Sequence, residues 1–109
     1  MTTQSSNFPK TVQEAVDRLL ADMSLNDEIA IATMSEEELL NLHFSLGQRI
    51  RHDFGLWQGN DALLESCRIM ASTKDIHVDD ASMFIVRVLW NRIKMANVLN
   101  GKDPHGNKT

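Results

Sequence analysis

The chain has 109 residues and a mass of 12.3 kDa, the usual size of a single domain. Hydrophobic residues make up 42% and charged residues 24%, a composition that argues against a disordered or fibrous chain. The net charge of −4, without a concentrated basic stripe, argues against nucleic acid as a partner.

Capping signals and apolar periodicity predict the first three helices in chain order. The first starts with a capping box at Thr11–Glu14 and has apolar residues spaced by three and four: Val12, Ala15, Val16, Leu19, Leu20 and Met23. Ser24 caps a short second helix, and Ser35 opens a third with another capping box. The glutamates at 36–38 are interpreted as complements of the helix dipole. The third helix ends at Gly55, and its apolar stripe includes His43, which indicates a core histidine.

Two more helices follow. Asn60 caps the fourth, whose apolar face includes Cys67, and Asp79 or Asp80 caps the last, which runs to about Asn100. Apolar residues cover nearly the whole circumference of this last helix. It is therefore either the central helix of the bundle or part of a dimer interface. In particular, we expect a lone bundle to have difficulty covering Phe84, Val86 and Trp90.

These elements predict an all-α fold, a compact bundle of about five helices with no sheet. The predicted helical domain spans residues 9–100, between a flexible N-terminus at 1–8 and a flexible polar tail at 101–109. The first seven residues show no secretory signal, and no apolar run approaches the ~18 residues that span a bilayer. With a single cysteine, an internal disulfide and a C-x-x-C pair are both excluded. We expect a cytoplasmic protein without membrane contact.

The segment Ile50–Asn60 is the densest in polar and aromatic residues. In the structural interpretation, the positive charge of Arg51 is favourable near a helix C-terminus, and Gly55 ends that helix. Trp57 then packs in the corner between the helices, and Asn60 caps the next helix. In the functional interpretation, the same corner is a recognition surface with Trp57 as aromatic anchor and Arg51 as polar clamp. His52 is expected on the surface, without facing the adjacent Asp53.

The segment Asp75–Asp80 contains three carboxylates and one histidine, but its spacing fits neither an EF-hand loop nor a helical zinc site. We therefore predict no metal site and no cofactor. The sequence shows no nucleophile turn and no phosphate loop, and Cys67 is interpreted as an inert core thiol, so no catalytic residue is assigned. The candidate binding residues are Arg51, His52, Trp57, Asn60, Asp79 and Asp80.

Several of these residues also form an ordered pattern. It consists of Leu-His-Phe-Ser-Leu-Gly at 42–47, Ile50-Arg51, Phe54-Gly55-Leu56-Trp57, Asn60 and Asp79-Asp80-Ala81-Ser82. Over about residues 9–95 the chain resembles a bacterial family, domain of unknown function 6794, of small helical proteins. It departs from the family pattern at Arg49, where an aromatic residue is expected, and at His52, where asparagine is expected. The resemblance implies helices and a bacterial source, and it supplies no catalytic residues.

Three functional hypotheses follow. The first is a non-enzymatic protein-interaction module, an antitoxin-like or immunity-like partner or a regulatory adaptor. The second is a small-molecule or metal-binding protein that uses Arg51, His52 and the segment Asp75–Asp80. It requires the last helix to begin beside the third-helix corner. The third is a homodimer formed through the last helix.

Overall fold

The computed structural model describes the chain from residue 7 to residue 99, with side chains to residue 96. Within this range lie six α-helices: α1 (Val12–Asp22), α2 (Leu25–Ala32), α3 (Glu36–Leu39), α4 (Leu46–Asp53), α5 (Asp61–Ala71) and α6 (Val78–Leu99). Short 3-10 helices occupy Leu40–Phe44 and Leu56–Gln58. The all-α prediction is confirmed, and residues 7–99 contain no strand. The two predicted flexible termini fall outside the described residues, apart from Asn7 and Phe8.

The predicted helix starts are confirmed at four positions. The side chains of Thr11, Ser24, Ser35 and Asn60 each accept a hydrogen bond from a backbone N–H three residues further along. At Ser35 the full capping box is present, because the carboxylate of Glu38 accepts from the Ser35 N–H at 2.8 Å. The box at Thr11 is only half formed, since the Glu14 carboxylate accepts instead from the N–H of Lys10.

The predicted third helix is interrupted, and this is the main correction to the expected architecture. It is divided into α3, the 3-10 helix Leu40–Phe44 and α4, with the break at Ser45. Gly47 lies two residues after the break, where a Cβ would come within 3.2 Å of the Leu42 carbonyl oxygen and 3.3 Å of the Met83 sulfur. The missing side chain therefore allows the turn and α6 to pack closely.

Helix α6 is the centre of the bundle and contacts α1, α2, α4, α5 and the first 3-10 helix. Its fully covered positions are Ala81, Ser82, Ile85, Val86, Leu89 and Ile93. The single chain covers Val86 completely, whereas Phe84 and Trp90 are covered only in part. The indole N–H of Trp90 donates to the Met34 carbonyl at 3.1 Å, and the Lys94 ammonium lies 4.0 Å from its ring centroid.

The two halves of the sequence carry opposite charge. Residues 1–48 contain two bases and eight acids, whereas residues 49–109 contain nine bases and seven acids. Among the described residues, three exposed ion pairs connect the halves: Arg49–Asp22, Arg87–Glu36 and Arg92–Asp17. Each contributes at most about 1 kcal/mol because water screens it. Part of the charge asymmetry is thus neutralised by ion pairs on the surface of the same chain.

Among the described residues, no helix combines the length and apolar character that membrane crossing requires.

Candidate functional site

The corner between α4 and α5 is shaped by two glycines. Gly55 and Gly59 have φ values of 74° and 88°, the left-handed region that glycine adopts without a steric penalty. They flank the 3-10 helix Leu56–Gln58, in which Leu56 is buried and Trp57 is 61% exposed. A Cβ at Gly55 would overlap the ring of Phe8, which packs against this turn. Trp57 is therefore held outward on a tightly constrained turn.

Asn60 holds this corner together through every polar atom of its side chain. Its Oδ1 caps α5 by accepting from the Leu63 N–H, as predicted. Its Nδ2 donates to the carbonyl oxygens of Pro9 at 2.9 Å and Phe54 at 2.8 Å. The amide thus joins the start of α1, the end of α4 and the start of α5, and its hydrogen-bonding capacity is largely used within the fold.

Arg51 lies inside the protein and is only 5% exposed. Its guanidinium donates to the Ser82 hydroxyl at 2.8 Å and to the His43 carbonyl at 3.0 Å, and its Nε lies 3.5 Å from an Asp79 carboxylate oxygen. These contacts attach the start of α6 to α4 and to the 3-10 helix, so the last helix does begin beside this corner. Because the guanidinium is already paired and covered, it supports the corner from within.

His52 points the other way. Its side chain is 79% exposed, and its Nδ1 lies 3.0 Å from an Asp53 carboxylate oxygen. The prediction that these adjacent residues do not face each other is wrong, since an imidazole at the exposed helix end can turn onto its neighbour. The hydrogen bond with His52, together with the Arg49 guanidinium, lowers the pKa of Asp53 despite a smaller opposite effect of burial. The structure separates Arg51 from His52 rather than bringing them together.

Two histidines form edge-to-face contacts with exposed aromatic rings beside the Arg51 network. The His43 and Phe44 rings are 4.8 Å apart, and the Trp57 and His77 rings are 6.5 Å apart. Phe44 is 80% exposed. The prediction of a core histidine at position 43 is wrong: the break at Ser45 takes His43 out of the apolar stripe and leaves it half-buried. We call Trp57 and His77, whose rings contact each other, the aromatic corner.

The start of α6 also differs from the prediction. The cap is His77, whose Nδ1 accepts from the Asp79 N–H at 3.2 Å, while Asp79 and Asp80 occupy the first turn. Asp79 is half-buried against Arg51, and Asp80 is exposed. Sequence reasoning missed His77 because histidine is an uncommon cap. Ser82 was also missed, although it belongs to the family pattern.

The segment 75–80 does not form a metal centre within the described residues, where no three histidine, cysteine or carboxylate groups are placed to hold an ion. It borders a cleft of about 320 Å³ instead. Ala71, Ile76, Met83 and Phe84 supply the apolar wall, and Thr73, Asp75, Asp80 and Arg87 supply the polar lining.

Cys67 is fully buried, and burial raises the pKa of its thiol to about 12. The thiol lies 3.8 Å from the Ala81 carbonyl oxygen. The predicted core position is confirmed, and the raised pKa favours the protonated thiol at neutral pH.

Fold and corner together define a small all-α domain built around one central helix, with an arginine buried beside an exposed aromatic surface. The chain belongs to the family described as domain of unknown function (DUF6794), whose model matches residues 8–93. Searches of curated proteins and of solved structures found no match.

Proposed function

We propose that the protein is a non-enzymatic interaction module, an antitoxin-like or immunity-like partner or a regulatory adaptor, that binds another protein through the aromatic corner. The observation that carries this proposal is the 61% exposure of Trp57 on a constrained turn. Tryptophan is enriched among the few residues that dominate binding energy in protein interfaces. A rigid support adds affinity because little side-chain and loop freedom is lost on binding.

The surroundings of Trp57 support the same function. Asn60 and Arg51 fix the turn and the start of α6 from behind, so the surface is formed before a partner arrives. The other tryptophan, Trp90, is half-buried, donates to a carbonyl and is covered by a lysine. The two indoles therefore occupy contrasting environments, and only Trp57 presents most of its surface to solvent.

Affinity capture from the source organism tests the proposal. Wild type and Trp57→Ala are immobilised after circular dichroism has shown that both are folded. Leu25→Ala is the matched control, since Leu25 is an exposed apolar residue, at 65%, on a different helix. We expect a partner that wild type and Leu25→Ala retain and Trp57→Ala loses. A partner bound equally by all three proteins, or no partner at all, would contradict the proposal.

A further inference from the structure

The cleft beside the aromatic corner has a composition that points to one kind of occupant. Its wall is formed by Ile76, Met83 and Phe84, and its lining carries the carboxylates of Asp75 and Asp80. Its volume of about 320 Å³ is near the lower end of ligand pockets, which hold roughly 300–1,000 Å³. This size suits one long side chain better than a large cofactor.

The charges of the lining do not cancel. Arg87 also lines the cleft, but its guanidinium is paired with Glu36. Arg68 interacts electrostatically with Asp75, but its guanidinium already donates hydrogen bonds to both carboxylate oxygens of Glu65. Among residues 7–96, no basic group lies within 4.0 Å of Asp75 or Asp80. The cleft therefore combines an apolar wall with two carboxylates that form no ion pair within residues 7–96.

We infer that this cleft receives an arginine or lysine side chain of the protein partner, an inference that rests on the proposed function and names the partner's chemistry. A long basic side chain places its methylene stem on apolar surface and keeps its charged head at polar groups. Ile76 and Phe84 suit the stem, and Asp75 and Asp80 suit the head. His77, whose ring contacts Trp57, lies between Asp75 and Asp80 in sequence, so the segment before α6 contributes both to the cleft and to the contact with Trp57.

A peptide titration with a neutral isostere tests the inference. Hexaarginine amide and hexacitrulline amide are added separately to ¹⁵N-labelled protein, and the amide signals of Asp75, Ile76 and Phe84 are followed. The indole N–H of Trp57 reports on the corner, and that of Trp90, hydrogen-bonded to Met34, is the internal reference. We expect the arginine peptide alone to shift the cleft and Trp57 signals.

Matched charge variants separate the cleft from general attraction to an acidic protein. Asp75→Asn with Asp80→Asn should weaken hexaarginine binding about tenfold, because each lost charge contributes about a threefold factor. The control variant, Asp27→Asn with Glu28→Gln, removes two negative charges from the first turn of α2. It should change the affinity for hexaarginine less than twofold. If the double variant does not fold, Asp75→Asn alone replaces it, because Asp75 lies outside the helices. This single variant should weaken hexaarginine binding about threefold.

Three results would overturn the inference: equal binding of the citrulline peptide, equal weakening by both double variants, or shifts confined to α2 and α3. The partner captured through Trp57 gives an independent check. If its binding is unchanged in the cleft variant and in high salt, the proposed function stands and a basic side chain in the cleft is refuted. If no partner depends on Trp57, the proposed function itself fails.

Discussion

Arg51→Met is the most informative substitution, because it distinguishes a buried supporting residue from a ligand clamp. The change removes the hydrogen bonds to Ser82 and the His43 carbonyl and the 3.5 Å contact with Asp79. The Ser82 hydroxyl keeps its own bond to the Asp79 carbonyl oxygen, so the His43 carbonyl is the main group left unpaired. An unpaired buried acceptor costs about 1–3 kcal/mol, and a hydrogen bond to a charged group contributes about 1.5–3 kcal/mol.

These contributions are partly offset, because methionine fills similar volume and removes the cost of burying a charge. We expect the free energy of unfolding to fall by about 3 kcal/mol, a large part of the ~5–15 kcal/mol typical of such a domain. Arg51→Lys should lose nearly as much, because one ammonium does not reproduce the planar fork that reaches Ser82 and His43 together.

Urea denaturation followed by circular dichroism measures this difference. The matched control is Arg49→Met, two residues away, where the arginine is half-exposed and pairs only with surface aspartates. Its expected loss is below about 1 kcal/mol. Equal losses for the two variants, or a more stable Arg51→Met, would refute the view that Arg51 holds α6 in place.

Four further outcomes are expected from the corner and the core. Asn60→Asp keeps the cap acceptor but loses two amide donors, and should cost about 2–3 kcal/mol in urea denaturation. Gly55→Ala should be more destabilising than Gly59→Ala, because both have positive φ but only the first would clash; equal melting temperatures would contradict this. Cys67 should react with Ellman's reagent only when the protein unfolds, and fast labelling of the native protein would refute its burial. Because burial raises the pKa of its thiol from 9.0 to about 12, the free energy of unfolding should fall as the pH rises through that range. His77→Ala should cost about 1 kcal/mol, and His77→Asn should restore most of it as a better cap; identical thermal unfolding of both variants would argue against capping.

The sequence predicted the helices well where local chemistry decides the structure. Ser24, Ser35 and Asn60 are caps whose partners lie three residues away, so the signal and its effect are both local. The break at Ser45 was not predictable in this way. Close to this break, Gly47 packs against Met83, which is distant in sequence, and an i, i+4 stripe gives no sign of such a contact.

The same distinction explains what could be predicted of the candidate site. The sequence placed Arg51 and Trp57 in one corner, but the partners of Arg51 come from 8, 28 and 31 residues away. Periodicity cannot show such contacts, so it could not tell a buried guanidinium from an exposed clamp. The dimer, the cytoplasmic location and the bacterial source stay predictions.

Five of the six candidate residues, all except His52, divide into two groups with different roles. Arg51 and Asn60 direct their polar atoms inward, and Asp79 is half-buried against the first of them. Trp57 and Asp80 remain exposed on the surface that these contacts hold in place. Substitutions in the first group should therefore lower stability and binding together, whereas substitutions in the second should lower binding alone. Measuring both quantities for each variant separates the support of the corner from its recognition surface, and a Trp57→Ala protein that loses binding only by unfolding would remove the basis of the proposed function.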